Sequence, residues 1–348
     1  MRAAVLERHG GPEVLRVVDI ARPTPRDGEV LVEVAACGLN HGLDGRTRAN
    51  GAGRTIAFPL VLGSEIAGRV AATGPGVSDD WLSRKVLITP WQAEFSASGD
   101  YLPQEHYKSF RLRGVHFDGG NAEYVVAKPA ELIGLSDDAD LIEAAALPIS
   151  YSTAAHMLSR AALAAGETVL VLGAAGTVGI AAIQLARAAG ARVIAAASSA
   201  VKRGLAQKLG ADAVIDYGGP DWAEDVLALT DGRGVDVVIE HVGRATFANS
   251  LASLAMGGRV AVCGASSGHQ LEFDARPLWR KSASIVFVNS GSDSSLRRVV
   301  SLWGEGKLKP VVAGVFALED IGRAHEALSN RDVIGKVILK IKASEGGE

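Results

Sequence analysis

The chain has 348 residues, a net charge of −3 from 36 Lys and Arg against 39 Asp and Glu, and 48% hydrophobic residues, which is typical of a globular protein of about two domains. Binding to nucleic acid is not expected, since neutralising phosphates requires clustered Lys and Arg and the chain has no basic block. No stretch approaches the ~18 uninterrupted apolar residues of a membrane span, and the first residues lack the apolar core of a signal peptide. We therefore predict no membrane partner and a cytoplasmic location.

The first part of the chain, residues 1–150, carries short alternating apolar runs that are broken by Pro and Gly clusters. The runs lie at 14–18, 29–34, 66–70 and 85–88. This pattern predicts short antiparallel strands, which we expect to form a partly open β-barrel. Helical spacing takes over from Asp140, so we place the end of this domain near residue 150.

The centre of the chain carries a strand, a glycine turn, a helix and a second strand. The apolar run 168–172 is too short for a helix, and a second β run follows at 191–197. Between them the turn places glycines at Gly173, Gly176 and Gly179. Two parallel strands joined by a helix form a right-handed crossover, in which the turn faces the helix N-terminus.

Such a turn can hold the diphosphate of a dinucleotide. Glycine lets the backbone approach the phosphates, whose charge is favoured by the free N–H groups and the dipole of the helix start. Three glycines in isolation are often only a tight turn, but here the flanking strands and helix favour the dinucleotide. The candidate diphosphate contacts are Gly173, Ala175, Gly176, Thr177 and Val178.

The alternation of strands and helices continues after the second strand. Further buried-type β runs lie at 213–216, 235–240, 258–263 and 284–288. Together these runs predict an α/β, doubly wound domain with a parallel six-stranded sheet over residues 151–290. The last segment, 291–348, ends in a strand at 335–340, which we expect to pair with the N-terminal barrel because the sheet is already complete.

The residues after the second strand favour NADPH over NADH. An adenosine 2′-hydroxyl is usually held there by an acidic side chain, but this chain has Ser198, Ser199, Lys202 and Arg203. Hydroxyl donors and a cation suit a 2′-phosphate. The alternative is that Lys202 and Arg203 are simply the solvated start of the next helix.

The arrangement resembles the medium-chain dehydrogenase/reductase superfamily over nearly the whole length of the chain. The resemblance is carried by the glycine turn and by the segments 62–68, 118–126, 146–154, 209–212, 234–238 and 335–339. It implies a GroES-like partly open β-barrel domain, a Rossmann domain, and hydride transfer from NAD(P)H in the cleft between them.

The zinc-binding branch of this family places a Cys, a His and a further Cys or acid around a catalytic metal. Matched to those motifs, this sequence has Asn40, Ser64, and Ser150 or Tyr151, none of which is a good zinc ligand. The segment 91–113, where that branch has its structural zinc lobe, contains no Cys. We therefore expect no metal. A zinc-free site suits quinones or α,β-unsaturated carbonyls, because the charge delocalises and hydrogen-bond donors suffice.

The resemblance also implies roles for individual residues. Thr153 would hold the nicotinamide or its phosphates, and Tyr217 would lie at the adenosine end or simply pack. Asn40 could donate to a substrate oxygen, and His41 could bind or protonate it, although a structural histidine is an equal alternative. Tyr151 could supply a phenolic donor, although relatives often use a Tyr there for packing.

Later coenzyme contacts are expected where strands end, since an open α/β sheet binds ligands at that edge. Cys263 could instead be only a small residue that permits close approach of the coenzyme. The candidates are His241, Val242, Cys263, Gly264, Ala265, Val288 and Asn289.

The first functional hypothesis is a zinc-independent, NADPH-dependent reductase of a small quinone or activated C=C substrate. The alternatives are an alcohol dehydrogenase or ketone reductase, a secondary-metabolite tailoring reductase, and a non-catalytic NADPH-binding protein. Since family members commonly pair through the last strand of the coenzyme domain, we expect a homodimer through residues 285–288, with a tetramer as the alternative.

Overall fold

The computed structural model describes residues 1–92, 110–330 and 332–341. The segment 91–113, which we expect to lack a structural zinc ion, therefore lies largely outside the described residues. The chain divides into two compact units. Unit 1 comprises Met1–Ile149, Leu296–Gly304 and Lys309–Glu348, and unit 2 comprises Ser150–Ser295 and Glu305–Leu308.

The strands of the described residues are numbered in chain order. They are β1 Arg2–Leu6, β2 Leu15–Asp19, β3 Val30–Leu39, β4 Leu60–Val61, β5 Glu65–Thr73, β6 Lys85–Ile88, β7 Trp91–Gln92, β8 Arg111–Leu112, β9 Tyr124–Ala127, β10 Leu132–Gly134, β11 Thr168–Val171, β12 Arg192–Ala196, β13 Ala213–Ile215, β14 Val235–Glu240, β15 Leu254–Val262, β16 Ser284–Phe287, β17 Val312–Ala317 and β18 Lys336–Lys340.

The α-helices are numbered in the same way. They are α1 Arg46–Asn50, α2 Leu141–Ala144, α3 Ser150–Arg160, α4 Thr177–Ala188, α5 Ala200–Lys208, α6 Trp222–Ala228, α7 Phe247–Ala252, α8 Arg276–Lys281, α9 Asp293–Gly304 and α10 Ile321–Ser329. A π-helical turn spans His41–Gly45, and short 3₁₀ turns lie at Pro12–Val14, Gly51–Gly53, Asp79–Trp81, Pro129–Glu131 and Leu318–Asp320.

Unit 2 is built on one parallel six-stranded sheet. Its strand order is β13-β12-β11-β14-β15-β16, so the chain starts in the centre and winds outward to both edges. The strands β11, β12 and β14 are buried almost throughout, because helices cover both faces of a sheet of this kind. The predicted doubly wound domain with six parallel strands is confirmed.

Unit 1 contains a mixed sheet in which all pairs except β17 with β18 are antiparallel. Its path runs β10-β6-β5-β3-β18-β17, with β9 paired to β3 as well. The C-terminal strand β18 lies antiparallel to β3, with Leu339 opposite Cys37. The prediction that this strand returns to the N-terminal barrel is confirmed.

Two features of unit 1 were not predicted. Strand β3 is longer than expected and runs from Val30 to Leu39, so that it ends directly at the loop of Asn40. Strand β17 alternates half-buried and exposed residues and contains Gly314, and this weak pattern gave no strand signal.

Among the described residues, no helix combines the length and the apolar character that a membrane crossing requires.

Candidate functional site

The glycine turn of unit 2 lies between β11 and α4. Gly173 has φ +56°, in the left-handed region, and a Cβ on Gly179 would lie 2.4 Å from the Gly173 carbonyl oxygen. The turn closes with a hydrogen bond from the Gly176 N–H to that oxygen at 2.8 Å. Gly176 is the N-cap of the twelve-residue helix α4 and supplies no side-chain cap. The first N–H groups of α4 are therefore available to an anion.

The turn after β14 is organised by Glu240, whose side chain is completely buried. Its carboxylate accepts hydrogen bonds from the N–H groups of Val242 at 2.7 Å and Gly243 at 3.0 Å. It also accepts from the hydroxyls of Thr246 at 2.9 Å and Ser250 at 2.6 Å. This carboxylate fixes the position of His241 beside the glycine turn.

His241 lies against the turn itself. A Cβ on Gly173 would come within 2.8 Å of His241 Cε1. The structure thus brings the predicted diphosphate contacts and His241 together, as expected for the ends of neighbouring parallel strands.

The ends of β15 and β16 carry the other predicted contacts. The Cys263 N–H donates to the Glu240 carbonyl at 2.9 Å, and the Val288 N–H donates to the Val262 carbonyl at 2.9 Å. Burial raises the pKa of the Cys263 thiol to about 11, so this side chain stays a neutral thiol. Gly264 and Asn289 are exposed, while Ala265 is half-buried.

The end of β12 carries the residues proposed for a 2′-phosphate. Ser198 is exposed, and the Ser199 hydroxyl caps helix α5 by accepting from the Lys202 N–H at 3.4 Å. Arg203 donates to the Asp216 carboxylate at 2.6 Å. Tyr217, half-buried, packs against the apolar core of the unit.

Helix α3 buries both of its candidate residues. The Tyr151 side chain is 3% exposed, and its hydroxyl accepts a hydrogen bond from Gln184 Nε2 at 3.0 Å. Thr153 is 4% exposed. The catalytic role of Tyr151 and the coenzyme role of Thr153 remain predictions.

In unit 1, the loop after β3 holds the other two catalytic candidates. Asn40 Oδ1 accepts from the N–H groups of Gly42 at 2.9 Å and Leu43 at 3.3 Å, so Asn40 caps the π-helical turn. His41 is exposed. Asn40 and His41 thus lie together in unit 1, whereas Tyr151 belongs to unit 2.

The buried Asp44 carboxylate anchors this loop through hydrogen bonds to backbone N–H groups. Its carboxylate accepts from the Asn40 N–H at 2.7 Å and from the Gly63 N–H at 3.1 Å. Burial raises the pKa of Asp44 from 3.8 to about 6, against the lowering effect of the Asn40 hydrogen bond. Burial likewise raises the pKa of the neighbouring Cys37 thiol.

Ser64, which stands where the zinc-binding branch has a metal ligand, and the adjacent Glu65 both make hydrogen bonds within the chain. The Ser64 hydroxyl donates to the Arg113 carbonyl at 2.6 Å. Glu65 accepts from the Ile149 N–H at 2.8 Å and forms a buried ion pair with Lys336. No group of three or more His, Cys, Asp or Glu side chains that could hold a metal occurs within residues 1–92, 110–330 and 332–341. Ser64 and Glu65, engaged in this way, do not fit a catalytic zinc ion.

Sequence reasoning missed three residues that shape these sites. Glu240 is the last residue of β14 and is followed by His241, Val242 and Gly243. A carboxylate in this position can accept hydrogen bonds from the N–H groups of the turn that follows it, and this local pattern could have indicated its role. Asp44 was not predicted as a site residue, and the pairing of Lys336 with Glu65 needs a contact across 271 residues of chain. No local pattern reveals such a contact.

Two family models match the chain. The alcohol dehydrogenase GroES-like domain matches residues 26–137, and the zinc-binding dehydrogenase model matches residues 177–304. The chain is similar to the quinone oxidoreductase of Rattus norvegicus, with 31% identity and 97% of each chain covered. It is also similar to the acryloyl-coenzyme A reductase of Metallosphaera sedula, with 33% identity over 97% of this chain and 99% of that one.

The chain belongs to the medium-chain dehydrogenase/reductase superfamily. Its fold is similar to a solved NAD-dependent alcohol dehydrogenase, with a TM-score of 0.91, 38% identity, and 98% and 100% of the two chains covered. A solved mycobacterial relative complexed with NADPH has a TM-score of 0.79 and 32% identity, with 98% of this chain and all of that one covered. The GroES-like and Rossmann assignments are confirmed, and the chain is a member of a nicotinamide-dependent oxidoreductase superfamily.

Proposed function

We propose that this protein is a zinc-independent, NADPH-dependent reductase that transfers hydride to a quinone or to the C=C bond of an α,β-unsaturated carbonyl. The observation that carries the proposal concerns Asn40 and Ser64, which stand where the zinc-binding branch has metal ligands. Both of them, and the adjacent Glu65, make hydrogen bonds to other groups of the chain. A quinone oxidoreductase and an acryloyl-coenzyme A reductase among the relatives support this substrate class.

NADPH would supply the hydride. The open N-terminus of α4 would bind the diphosphate, and Ser198, Ser199 and Lys202 would bind the 2′-phosphate. The relative complexed with NADPH supports this choice of coenzyme. We assign the charge contact to Lys202; Arg203 pairs with Asp216.

For the substrate, the donors proposed are Asn40 and His41. Reduction of a quinone or an enone places negative charge on an oxygen, which hydrogen-bond donors stabilise without a metal. Asn40 Oδ1 is occupied by two backbone N–H groups, so its amide Nδ2 is the donor that we assign to the substrate. His41, which is exposed, is assigned the final protonation.

A second function, alcohol dehydrogenase or ketone reductase, is favoured by one comparison, the NAD-dependent alcohol dehydrogenase with 38% identity. The two functions are separated by following NADPH and NADH oxidation with 9,10-phenanthrenequinone, a 2-alkenal and a simple ketone, together with elemental analysis for zinc. Turnover of the quinone or the alkenal by zinc-free protein is expected. Turnover of the ketone alone would overturn the proposal, and coenzyme binding with no turnover would favour a binding protein.

The proposal includes a homodimer and a cytoplasmic location. Strand β16 lies at the edge of the parallel sheet, where its unpaired backbone groups can meet those of a second copy. Cys37 and Cys263 are both free, which suits a reducing compartment.

A further inference from the structure

His241 is held in place beside the glycine turn at residues 173–179. Its backbone is anchored by the hydrogen bonds that Glu240 accepts from Val242 and Gly243. The neighbouring Ser267 N–H donates to the Val242 carbonyl at 2.7 Å, which joins this turn to the loop after β15. The imidazole is therefore held beside the turn by the fold of unit 2 itself.

The ring edge faces the place where a diphosphate would lie. A Cβ on Gly173 would be 2.8 Å from His241 Cε1 and 3.3 Å from Nε2, and a Cβ on Gly176 would be 3.7 Å from Cε1. Glycine at both positions leaves room for the ring to pack against the turn, beside the backbone N–H groups of α4. A diphosphate bound at this turn would lie within reach of Nε2.

Nε2 of His241 is buried and has no hydrogen-bond partner. The backbone groups of Leu172 and of His241 itself favour the charged imidazolium, although less than the Glu240 carboxylate does. A buried nitrogen without a partner carries a desolvation cost, which a hydrogen bond to a ligand oxygen would remove. In the free protein, His241 Nε2 thus lacks a hydrogen-bond partner that a bound ligand could supply.

The charges around His241 are few. The negative charge of Glu240 acts on the ring, and the turn at residues 173–179 has no ionisable side chain. On the adjoining loops, 241–246 and 263–275, the ionisable side chains are Arg244, Cys263, His269, Glu272 and Asp274, and Cys263 stays a neutral thiol. Burial lowers the pKa of His241, so the ring is neutral near pH 7 until a further negative charge arrives.

We propose that His241 takes up a proton from solvent when a nicotinamide coenzyme binds, and that its Nε2–H then donates to a diphosphate oxygen. This inference rests on the proposed coenzyme site and deepens it. The two negative charges of the diphosphate favour the imidazolium, and by linkage the imidazolium strengthens coenzyme binding. Affinity is therefore expected to fall as pH rises, by at most about tenfold per pH unit.

The test is calorimetric titration with NADH, because the 2′-phosphate of NADPH titrates in the same pH range. Titrations at pH 7 in buffers of different ionisation enthalpy measure the number of protons taken up. The wild-type protein is expected to take up a fraction of one proton, His241→Gln none, and His269→Gln, an exposed histidine of the same unit, as much as the wild type. Uptake by His241→Gln equal to the wild type would overturn the inference, and so would proton release.

A measurement without any variant keeps the inference testable if His241→Gln fails to fold. Nitrogen-15 NMR of the histidine rings, with and without NADH, is expected to show one ring changing from neutral to imidazolium on binding. The absence of such a change in a saturated complex would overturn the inference while leaving the coenzyme site intact. If neither NADH nor NADPH binds at all, the proposed function fails as well.

Discussion

Lys336 and Glu65 form an ion pair that is almost completely removed from solvent, with 3% and 0% of their side chains exposed. Lys336 lies at the start of the C-terminal strand β18, and Glu65 begins β5, so the pair joins the two strands that flank β3. A buried pair of this kind is a weak source of net stability, but the loss of one partner leaves an uncompensated charge.

Lys336→Met is therefore expected to destabilise unit 1 by about 3–5 kcal/mol, because the Glu65 carboxylate loses its countercharge in a buried site. The double variant Glu65→Leu with Lys336→Met is expected to recover part of that loss. Urea denaturation followed by circular dichroism measures both. The matched control is Lys307→Met, which removes an exposed pair with Glu305 and should cost less than about 1 kcal/mol. Equal effects of the two Lys variants would contradict the argument.

A second prediction concerns the pH dependence that Asp44 gives to stability. The folded-state pKa of about 6 lies above the ordinary value of 3.8. The stability that Asp44 contributes is therefore fully present below the lower value and is lost as pH rises through the higher one. Relative to Asp44→Asn, the wild type should gain about 1–2 kcal/mol of unfolding free energy as pH falls from 7.5 to 5.

Urea denaturation at several pH values measures this difference. Asp27→Asn, at an exposed carboxyl of the same unit, is the control and should follow the wild type at every pH. A wild-type advantage over Asp44→Asn that shrinks with falling pH would show that the sign is wrong.

Asn40 is expected to have two separable roles. Asn40→Ala removes the acceptor for Gly42 and Leu43 and should cost about 1 kcal/mol of stability. Asn40→Asp keeps that acceptor but loses the Nδ2 donor, so it should retain stability and lose about 10²-fold in kcat if the donor stabilises the developing negative charge. Thermal unfolding and steady-state kinetics distinguish the two. Full activity in Asn40→Asp would leave Asn40 with the capping role alone.

The coenzyme choice is tested on helix α5. Lys202→Ala is expected to lower kcat/KM for NADPH about tenfold, as the loss of one charge-assisted contact implies, and to leave NADH unaffected. Lys208→Ala, at the other end of the same helix, is the control and should change neither value. If Lys202→Ala affects both coenzymes equally, Lys202 does not read the 2′-phosphate.

The sequence was most informative where a local pattern repeats. All six strands of the parallel sheet follow from short apolar runs, and the return of β18 to β3 follows from an extra strand after a complete sheet. The engagement of Arg203 with Asp216 and of Tyr151 with Gln184 could not be predicted, since each contact joins residues whose spacing carries no periodic signal. For the same reason, the hydrogen bonds of Asn40 and Ser64, which stand where the zinc-binding branch has metal ligands, could not be predicted.

The last prediction concerns the dimer edge. Phe287, on β16, is 66% exposed, so its side chain would lie in the interface if two copies pair through this edge strand. Phe287→Glu is expected to shift the protein from twice 36.0 kDa to 36.0 kDa in light scattering, since the carboxylate of each copy would meet that of the other across a two-fold axis. Val201→Glu changes a residue of the same unit that is 75% exposed but does not lie on the edge strand, and it should leave the dimer intact. A wild-type protein that is already monomeric at micromolar concentration would contradict the proposed pairing. Dissociation by both variants would instead place the interface on a wider surface than β16.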